Sequence, residues 1–306
     1  MKSLKIPVII INYRQPDNTI ECLKSIRTND EALVLQPIII DAQPSPNFPQ
    51  KLTRLFGNWV DYLPQEKNLG FTGANNVGIR FALQKYQPKT IILLNDDTTI
   101  GKKALTNLAA ALQKRENCGA VVPKIYFSKE REFHQASYQK SDLGKVIWYA
   151  GGAIDWQEVH GFHVGVDEVD QGQYDSPTTT QFATGCCVAL STKALEKVGL
   201  FDEKYFLYLE DLDLSIRLQQ NKFDIWYEPT SHIWHKNAGS SGSGSKLHEY
   251  YQTRNRYLFG FRYGPLRTKI FLLRHLIIQY KNGSDTIRQA IKDFILERYG
   301  PRPDVH

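Results

Sequence analysis

The stretch IILLNDDTT places three polar side chains directly after a continuous apolar run: Asn95, Asp96 and Asp97. If that run is a central strand of an α/β sheet, these residues stand at its carboxyl end, where such sheets bind ligands. Mg²⁺ and Mn²⁺ prefer oxygen ligands and often bridge phosphates while making few protein contacts. One or two of these carboxylates could therefore hold a metal ion against a diphosphate. The alternative is that they only form the turn before a helix.

A second group of acids lies in YFLYLEDLDLSIRL, where apolar residues recur at helical spacing and predict a helix that starts near Glu210. Glu210 and Asp211 would then lie in its first turn, where a partly buried carboxylate can act as a general base. The alternative is that these acids only complement the helix dipole, a contribution of roughly 0.3–1 kcal/mol. Asp213 and Arg217, four residues apart, are expected to pair along the helix surface.

The segment HIWHK carries two histidines, His232 and His235, which point in different directions on an extended segment. Neutral imidazole is a common metal ligand, so one of the two is a candidate ligand. The alternative is a histidine that packs beside tryptophan or lies at the surface.

Further polar residues stand at the ends of the first two apolar runs, where a nucleobase and a ribose could dock. Asn12 and Tyr13 end VIIINY, and Asp41 ends IIID. The loop EKNLGFTGANN adds Gly70 and Gly73, and glycine permits close approach of the backbone to a ligand. Neither G-x-G-x-x-G after the first run nor a P-loop motif is present, which excludes the dinucleotide fingerprint and P-loop chemistry.

The elements that must position these residues alternate regularly through the first half of the chain. Short β-branched runs separated by amphipathic segments predict an α/β fold with a mostly parallel central sheet, covered by helices on both faces. The predicted strands are 7–11, 37–40, 60–63, 91–94 and 120–122, and the predicted helices are 17–28, 48–56, 73–85 and 102–114.

The second half of the chain has a different pattern. Residues 127–175 are rich in glycine, acids and aromatic residues without a helical period, which predicts an irregular or hairpin-rich insertion that lines or closes a cleft. Beyond it, residues 239–245 (GSSGSGS) predict a flexible loop. The remaining predicted elements are a strand in QFATGCCVAL, a short helix in STKALEKVG, a strand in FDIWYEP and a long helix in LHEYYQTRNRYLFGFRYG.

The composition of the 306-residue chain is that of a globular protein, with 42% hydrophobic and 23% charged residues. A net charge of +6 suits an anionic substrate or an anionic membrane surface. Lysine and arginine form no basic block with interleaved aromatic residues, so nucleic-acid binding is not expected. Four cysteines without a C-x-x-C pair suit a reducing compartment, and the predicted location is the cytoplasm.

In this order, the motifs resemble the inverting glycosyltransferases of family 2 with the GT-A fold, and most closely their rhamnosyltransferase-like branch. The stretches that carry the resemblance are VIIINY, NLGFTGANNVGI, LLNDDT, AGGAIDW with GQYD, GCCVALSTKALEKVGLFDEKYFLYLEDLDLSIRL, HIWHK and YYQTRNRYLF. The resemblance implies a GT-A domain over 1–263, with a donor-binding half to about 125 and an acceptor-side half from about 126. A C-terminal helical extension follows at 264–306.

The resemblance also implies roles at the donor. Asn12, Tyr13 and Asp41 would hold the nucleoside, with Asp41 at the base, and Asn68 and Gly70 would lie near the donor. Relatives usually continue the second strand as Asp-Asn-Gly-Ser, whereas this chain reads DAQP from Asp41 onward. This difference leaves the base and ribose contacts, and hence the nucleoside of the donor, open. A UDP- or dTDP-sugar is expected as the donor, and a GDP-sugar is not excluded.

At the metal, the resemblance gives Asp97 the role of the binding acid of a DxD-type motif, with Asn95 and Asp96 around it. His235 corresponds to a histidine that joins the metal site in some relatives. The implied cofactor is a divalent cation, Mn²⁺ or Mg²⁺.

At the acceptor, Asp211 resembles the catalytic base of the family's Glu-Asp motif, and Glu210 a residue that contacts the acceptor. The implied reaction moves a sugar, with rhamnose as one candidate, from a nucleotide diphosphate to a hydroxyl of a glycan or lipid-linked acceptor. Such transfers build cell-surface polysaccharides.

Two other functions stay open on the residues alone. A non-catalytic module that binds carbohydrate or nucleotide would not need Asp97, Asp211 and His235 together. A sugar-nucleotide nucleotidyltransferase would share the sheet, but it needs a glycine-rich loop after the first strand, where this chain has NYRQPDN.

The C-terminal stretch at 264–282 mixes apolar and basic residues. As a helix it could lie on an anionic membrane surface, where a lipid-linked acceptor is found. The alternative is a helix that packs on the catalytic domain. Peripheral contact with the inner face of the membrane is therefore left open.

Overall fold

A computed structural model describes residues 5–31, 34–237 and 244–302. Most of the predicted loop at 239–245 lies outside the described residues, as do residues 303–306 of the predicted extension. The strands are β1 (Ile6–Asn12), β2 (Leu35–Asp41), β3 (Asp61–Pro64), β4 (Thr90–Leu94), β5 (Thr98–Ile100), β6 (Cys118–Phe127), β7 (Ile147–Tyr149), β8 (Gly152–Asp155), β9 (His160–His163), β10 (Thr178–Thr179), β11 (Cys187–Ser191) and β12 (Asp224–His235).

The helices follow the predicted alternation with small shifts of their ends. They are α1 (Pro16–Asn29), α2 (Phe48–Phe56), α3 (Gly70–Tyr86), α4 (Ala104–Lys114), α5 (Thr192–Val198), α6 (Glu210–Gln220), α7 (Lys246–Tyr263), α8 (Leu266–Asn282) and α9 (Asp285–Ile295). Short 3₁₀ turns lie at Gly57–Trp59 and Gln135–Ser137. Serine side chains cap α5, α7 and α9, because Ser191, Ser245 and Ser284 each accept a hydrogen bond from a backbone N–H of the first turn.

Among the described residues, one sheet runs in the order β10, β12, β6, β11, β4, β1, β2, β3, with β5 on β12 and β7 on β6. The strands from β3 to β4 are parallel, as predicted for the first half of the chain. β11 is antiparallel to both β4 and β6, so the whole sheet is mixed. β11 is antiparallel because of where the insertion lies. The insertion is at the edge of the sheet where β4 ends, so the chain enters β11 from that edge and its first residue, Cys187, pairs with Leu94, the last residue of β4.

The insertion is a hairpin-rich segment, as predicted. β7 pairs with β6, and β8 and β9 form a separate antiparallel pair with Gly152 opposite His163. The predicted strand in QFATGCCVAL begins only at Cys187, because residues 181–186 leave the sheet and pass along the cavity described below.

The C-terminal helices pack on one another and on the insertion. The hydroxyl of Tyr250 on α7 donates to buried Asp293 on α9 (2.7 Å), and Thr268 on α8 donates to the carbonyl of Trp156 in the insertion (2.7 Å). α8 thus packs on the insertion through one face, while most of its other face is exposed. Within the described ranges, no helix is long and apolar enough to cross a membrane.

Candidate active site

A cavity of about 480 Å³ opens at the carboxyl ends of β1 and β4, next to the start of α6 and the insertion. Strand ends and a helix start meet here because the apolar strands are buried along their length and their polar ends face the edge of the sheet. The predicted site residues that line it are Tyr13, Asn95, Asp96, Asp97, Glu210, Asp211 and His235.

Asp97 and His235 lie side by side in this cavity. The antiparallel pairing of β5 with β12 sets His235 opposite Thr98, and it brings the His235 Nε2 to 3.1 Å from the Asp97 Oδ1. The Trp148 ring packs edge-on against the imidazole, with ring centroids 4.7 Å apart. The buried His235 Nδ1 has no hydrogen-bond partner in the described part of the chain. An imidazole nitrogen and a carboxylate oxygen placed together form a donor set that fits a divalent cation.

The protein supplies few ligands at this point. Within the described ranges, no group of three or more histidine, cysteine, aspartate or glutamate side chains is arranged to hold a metal. Two side chains still fit Mg²⁺ or Mn²⁺, since these ions keep several waters and take the rest of their shell from substrate phosphates.

Asp96 lines the cavity beside Asp97 and is partly buried. Burial, followed by the nearby charge of Asp97, raises the pKa of Asp96 to about 7. Its Oδ2 lies 3.2 Å from the hydroxyl of Thr19, which in turn lies 3.1 Å from the Asn12 Oδ1. With a pKa of about 7, Asp96 is ionised in only part of the molecules at neutral pH, and Thr19 links it to Asn12 in a network at the edge of the cavity.

Glu210 and Asp211 begin α6 on another wall of the cavity. Asp211 is held by two backbone donors: Gly185 N–H to Oδ2 (3.2 Å) and Leu212 N–H to Oδ1 (2.9 Å). Burial raises the pKa of Asp211. Burial and then the charge of Asp211 raise the pKa of Glu210 well above its ordinary value, and the buried Glu210 Oε2 has no hydrogen-bond partner among the described residues. Asp211 therefore ionises first, while Glu210 keeps its proton.

The turn before α6 has an unusual backbone. Phe206, Tyr208 and Leu209 all have positive φ, between 63° and 72°, a region that costs non-glycine residues free energy. Two buried side chains of α7 stabilise this turn. Arg254 Nη2 donates to two of its backbone carbonyls at 2.8 and 2.9 Å, and Asn255 Nδ2 lies within 2.7–2.9 Å of three.

Sequence reasoning missed Arg254 and Asn255 as site residues, although YYQTRNRYLF helped to carry the resemblance. The available signal was a charged residue and an amide inside an otherwise aromatic and apolar helix, both fully buried here. Such groups remain in a core only when they are hydrogen-bonded, so their partners had to be polar backbone atoms or acids.

The insertion contributes a wall of aromatic and histidine side chains, namely Trp148, His160 and His163. The His163 Nδ1 lies 3.0 Å from the carbonyl of Trp148, and their rings are in edge contact at 4.2 Å. Burial lowers the pKa of His163 to about 4, so this imidazole is neutral at pH 7. The predicted cleft-lining role of the insertion is therefore confirmed, although none of these three residues was singled out beforehand.

Four predicted donor residues do not line the cavity. Asp41 is fully buried and accepts hydrogen bonds from Asn12 Nδ2 (2.8 Å) and the Tyr62 hydroxyl (2.7 Å). Asn12 is equally enclosed beneath the cavity. Asn68 accepts from the N–H of Gly70 at the start of α3 (2.9 Å).

Gly70 itself lies against the turn before α6. It has a φ of +68°, and a Cβ built on it would meet the carbonyl oxygen of Phe206 at 2.4 Å. Only glycine fits this contact between α3 and the turn.

One predicted pairing is present but in a different setting. Arg217 Nε donates to Asp213 Oδ2 (2.7 Å), yet Asp213 is fully buried, so the expectation of a surface pair was wrong. The physical reason is that Asp213 faces α7, where Arg262 (2.9 Å) and the Tyr263 hydroxyl (2.7 Å) also donate to it. This carboxylate joins α6 to α7.

Comparison with known proteins shows the family and the fold of the chain. The sequence model of Glycosyl transferase family 2 matches residues 8–199. The hexosyltransferase Agl10 of low-salt glycan biosynthesis in Haloferax volcanii is 20% identical over 82% of this chain and 74% of its own length. The N-acetylglucosaminyl-diphospho-decaprenol L-rhamnosyltransferase of Mycobacterium tuberculosis is 24% identical over 90% of this chain and 93% of its own. Rhamnosyltransferase WbbL of Escherichia coli is 21% identical over 90% of this chain and 95% of its own length.

Two solved structures share the fold. GalNAc-T7, crystallised with UDP, GalNAc and Mn²⁺, superposes with a TM-score of 0.61 at 15% identity, over 97% of this chain and 58% of that longer chain. The mannosyltransferase PcManGT of Pyrobaculum calidifontis, in complex with GDP-Man and Mn²⁺, superposes with a TM-score of 0.56 at 12% identity, over 96% of this chain and 81% of that chain. The predicted GT-A fold is confirmed. With its family match spanning more than half of its length, the chain belongs to glycosyl transferase family 2.

Proposed function

We propose that this chain transfers a sugar from a nucleotide diphosphate to a hydroxyl of a lipid-linked glycan, with inversion at the anomeric carbon. The observation that carries the proposal is that Asp97 with His235, and Asp211, face one cavity from different walls. Inverting transfer needs a group that supports the leaving diphosphate and a base on the opposite face of the sugar. These two sets of residues fit those two tasks.

Asp97 and His235 are proposed to hold Mn²⁺ or Mg²⁺ against the donor. A bound cation supplies positive charge that offsets the negative charge gained by the leaving diphosphate. Tyr13 and Asn95 line the same side of the cavity and are proposed to contact the donor, next to Asp96, whose pKa is about 7.

The predicted donor residues that do not line the cavity are proposed to support the nucleoside indirectly. Asn12 and Asp41 form one hydrogen-bonded unit, and Asn68 with Gly70 fixes the start of α3 against the turn before α6. Together these residues form the donor-binding half that we assign to residues up to about 125.

Asp211 is proposed as the general base. It removes the proton from the acceptor hydroxyl as that oxygen attacks the anomeric carbon. Burial raises the pKa of Asp211, which strengthens it as a base, and two backbone N–H groups fix its direction. Glu210, which keeps its proton, is proposed to contact the acceptor as a neutral group.

The acceptor is proposed to be lipid-linked, and α8 supports this choice. Its outer face exposes Leu266, Leu273 and Ile278, each by more than half of its surface. Arg267 and Arg274 are exposed on the same helix. Exposed apolar side chains with cations between them suit the surface of an anionic membrane. The relative from Mycobacterium tuberculosis is likewise named for a lipid-diphosphate acceptor.

Titration calorimetry of UDP, dTDP and GDP, each with Mn²⁺ and with EDTA, tests the donor side. We expect one nucleotide to bind with Mn²⁺ and to lose most of that affinity in EDTA or in an Asp97→Asn variant. Absence of binding by all three to the folded protein would contradict the proposal. Metal-independent binding without any sugar transfer would favour the non-catalytic module.

A further inference from the structure

A second cavity, of about 370 Å³, adjoins the catalytic cavity. The two share His160 and Gln252 as lining residues, so a molecule that extends beyond the catalytic cavity on this side enters the second one. The turn between β8 and β9 and the helices α7, α8 and α9 enclose it.

The lining of this second cavity is rich in hydrogen-bond donors. His248, Gln252 and Arg256 stand four residues apart on one face of α7, and His275 and Gln279 stand four apart on α8. In the described part of the chain, the carboxylate that lines it is Glu158, which pairs with Arg256 Nη2 at 3.1 Å. Imidazole, amide and guanidinium donors thus outnumber the acid.

Arg256 is poised to take an additional partner. Its Nε is buried and has no hydrogen-bond partner among the described residues, which is costly for a cationic donor. Its one carboxylate partner, Glu158, is 61% exposed and can rotate into solvent. An anionic oxygen entering the cavity would satisfy the guanidinium without disturbing buried contacts.

We propose that this second cavity binds the diphosphate of the lipid-linked acceptor, with Arg256 as its principal contact. The inference rests on the proposed function, which sets the acceptor sugar against Asp211. The parts of the acceptor match three neighbouring surfaces in order. The sugar lies in the catalytic cavity, the diphosphate in the second cavity, and the lipid on the exposed apolar face of α8 that adjoins His275.

His248 and His275 act here as neutral donors. Burial lowers the pKa of His248 and of His275, and for His275 the charge of Arg256 adds to the effect. The His275 Nδ1 also lies 2.9 Å from the Tyr257 hydroxyl, which fixes the ring at the edge of the cavity. The positive charge offered to the diphosphate is therefore that of Arg256.

Binding of octyl diphosphate to the full chain in EDTA, measured by calorimetry, tests the proposal without donor, metal or turnover. Arg256→Gln should weaken binding about tenfold or more, as expected for a lost charged hydrogen bond. Glu158→Gln should instead tighten it several-fold, because the competing carboxylate is removed; a folding defect would not produce that gain. Asp97→Asn should leave the affinity unchanged.

Equal affinity in the wild type and Arg256→Gln would overturn the proposal. So would a gain in affinity in Asp97→Asn, since the probe would then lie in the donor site, where in EDTA the Asp97 carboxylate repels it. A second experiment measures flotation with phosphatidylglycerol vesicles. The wild type and Arg256→Gln should float equally with them. Vesicle binding that depends on Arg256, with octyl diphosphate binding that does not, would assign the cavity to a phospholipid headgroup and refute the acceptor assignment. Failure of nucleotide binding would refute the proposed function alone.

Discussion

The two adjacent acids at the start of α6 should respond very differently to the same chemical change. In Asp211→Asn the base is lost, and removal of a general base costs about 10²–10⁴-fold in rate, or roughly 3–5 kcal/mol. In Glu210→Gln the neutral amide replaces a carboxyl group that already keeps its proton, since its pKa is raised well above the ordinary value. We therefore expect the activity of Glu210→Gln to stay within about threefold of the wild type, because the substitution leaves the charge at this position unchanged.

The melting temperature of Asp211→Asn distinguishes loss of the catalytic base from damage to the fold. Because the pKa of Asp211 is raised in the folded state, the native protein binds its proton to a higher pH than the unfolded chain does. Its contribution to the free energy of unfolding falls as pH rises from the unfolded pKa, about 3.9, through the raised folded pKa. At neutral pH the charged form costs stability, so Asp211→Asn should melt at the same temperature as the wild type or higher.

The assay is initial-rate transfer at several pH values, with melting temperatures measured in the same buffers. The wild type should lose kcat/KM as pH falls through the raised pKa of Asp211, placing the acid limb above the ordinary range of an aspartate. Loss of activity in Glu210→Gln with full activity in Asp211→Asn would refute the assignment. A sharply lowered melting temperature in Asp211→Asn would refute the argument from burial.

Three further outcomes follow from the contacts described. Asn255→Ala removes the amide that holds the turn before α6, so kcat/KM should fall and the free energy of unfolding should drop by about 1–3 kcal/mol, measured by kinetics and denaturant titration. His235→Ala should reduce the Mn²⁺-dependent part of nucleotide affinity in calorimetry and leave the EDTA value unchanged. Leu273→Ser with Ile278→Ser should abolish flotation with anionic vesicles, while transfer to a soluble acceptor persists; unchanged flotation would remove α8 as the membrane contact.

The local part of this site could be predicted from the sequence because it depends on short-range patterns. Continuous apolar runs predicted β1, β2 and β4, and a buried run followed at once by polar residues located Asn95, Asp96 and Asp97 at the ligand edge. Helical spacing likewise predicted the start of α6 at Glu210.

The rest depends on contacts between distant segments. Nothing local to Asp213 indicates that Arg262 and Tyr263, about fifty residues later, bury it. Likewise the turn before α6 meets Asn255 only once α7 has packed. The antiparallel entry of β11 depends on where the insertion sits, which spacing along the chain does not reveal.

Inverting transfer with Asp211 as the base fixes the anomeric configuration of the product. The most direct test is to incubate the protein with Mn²⁺, UDP-, dTDP- or GDP-sugars and a short-chain N-acetylglucosaminyl diphosphate lipid. Proton NMR of the product then reports the anomeric configuration of the new linkage. We predict a product whose configuration is opposite to that of the donor, formed at least about a hundredfold more slowly by Asp211→Asn. Retained configuration, or equal product from the variant, would contradict the account.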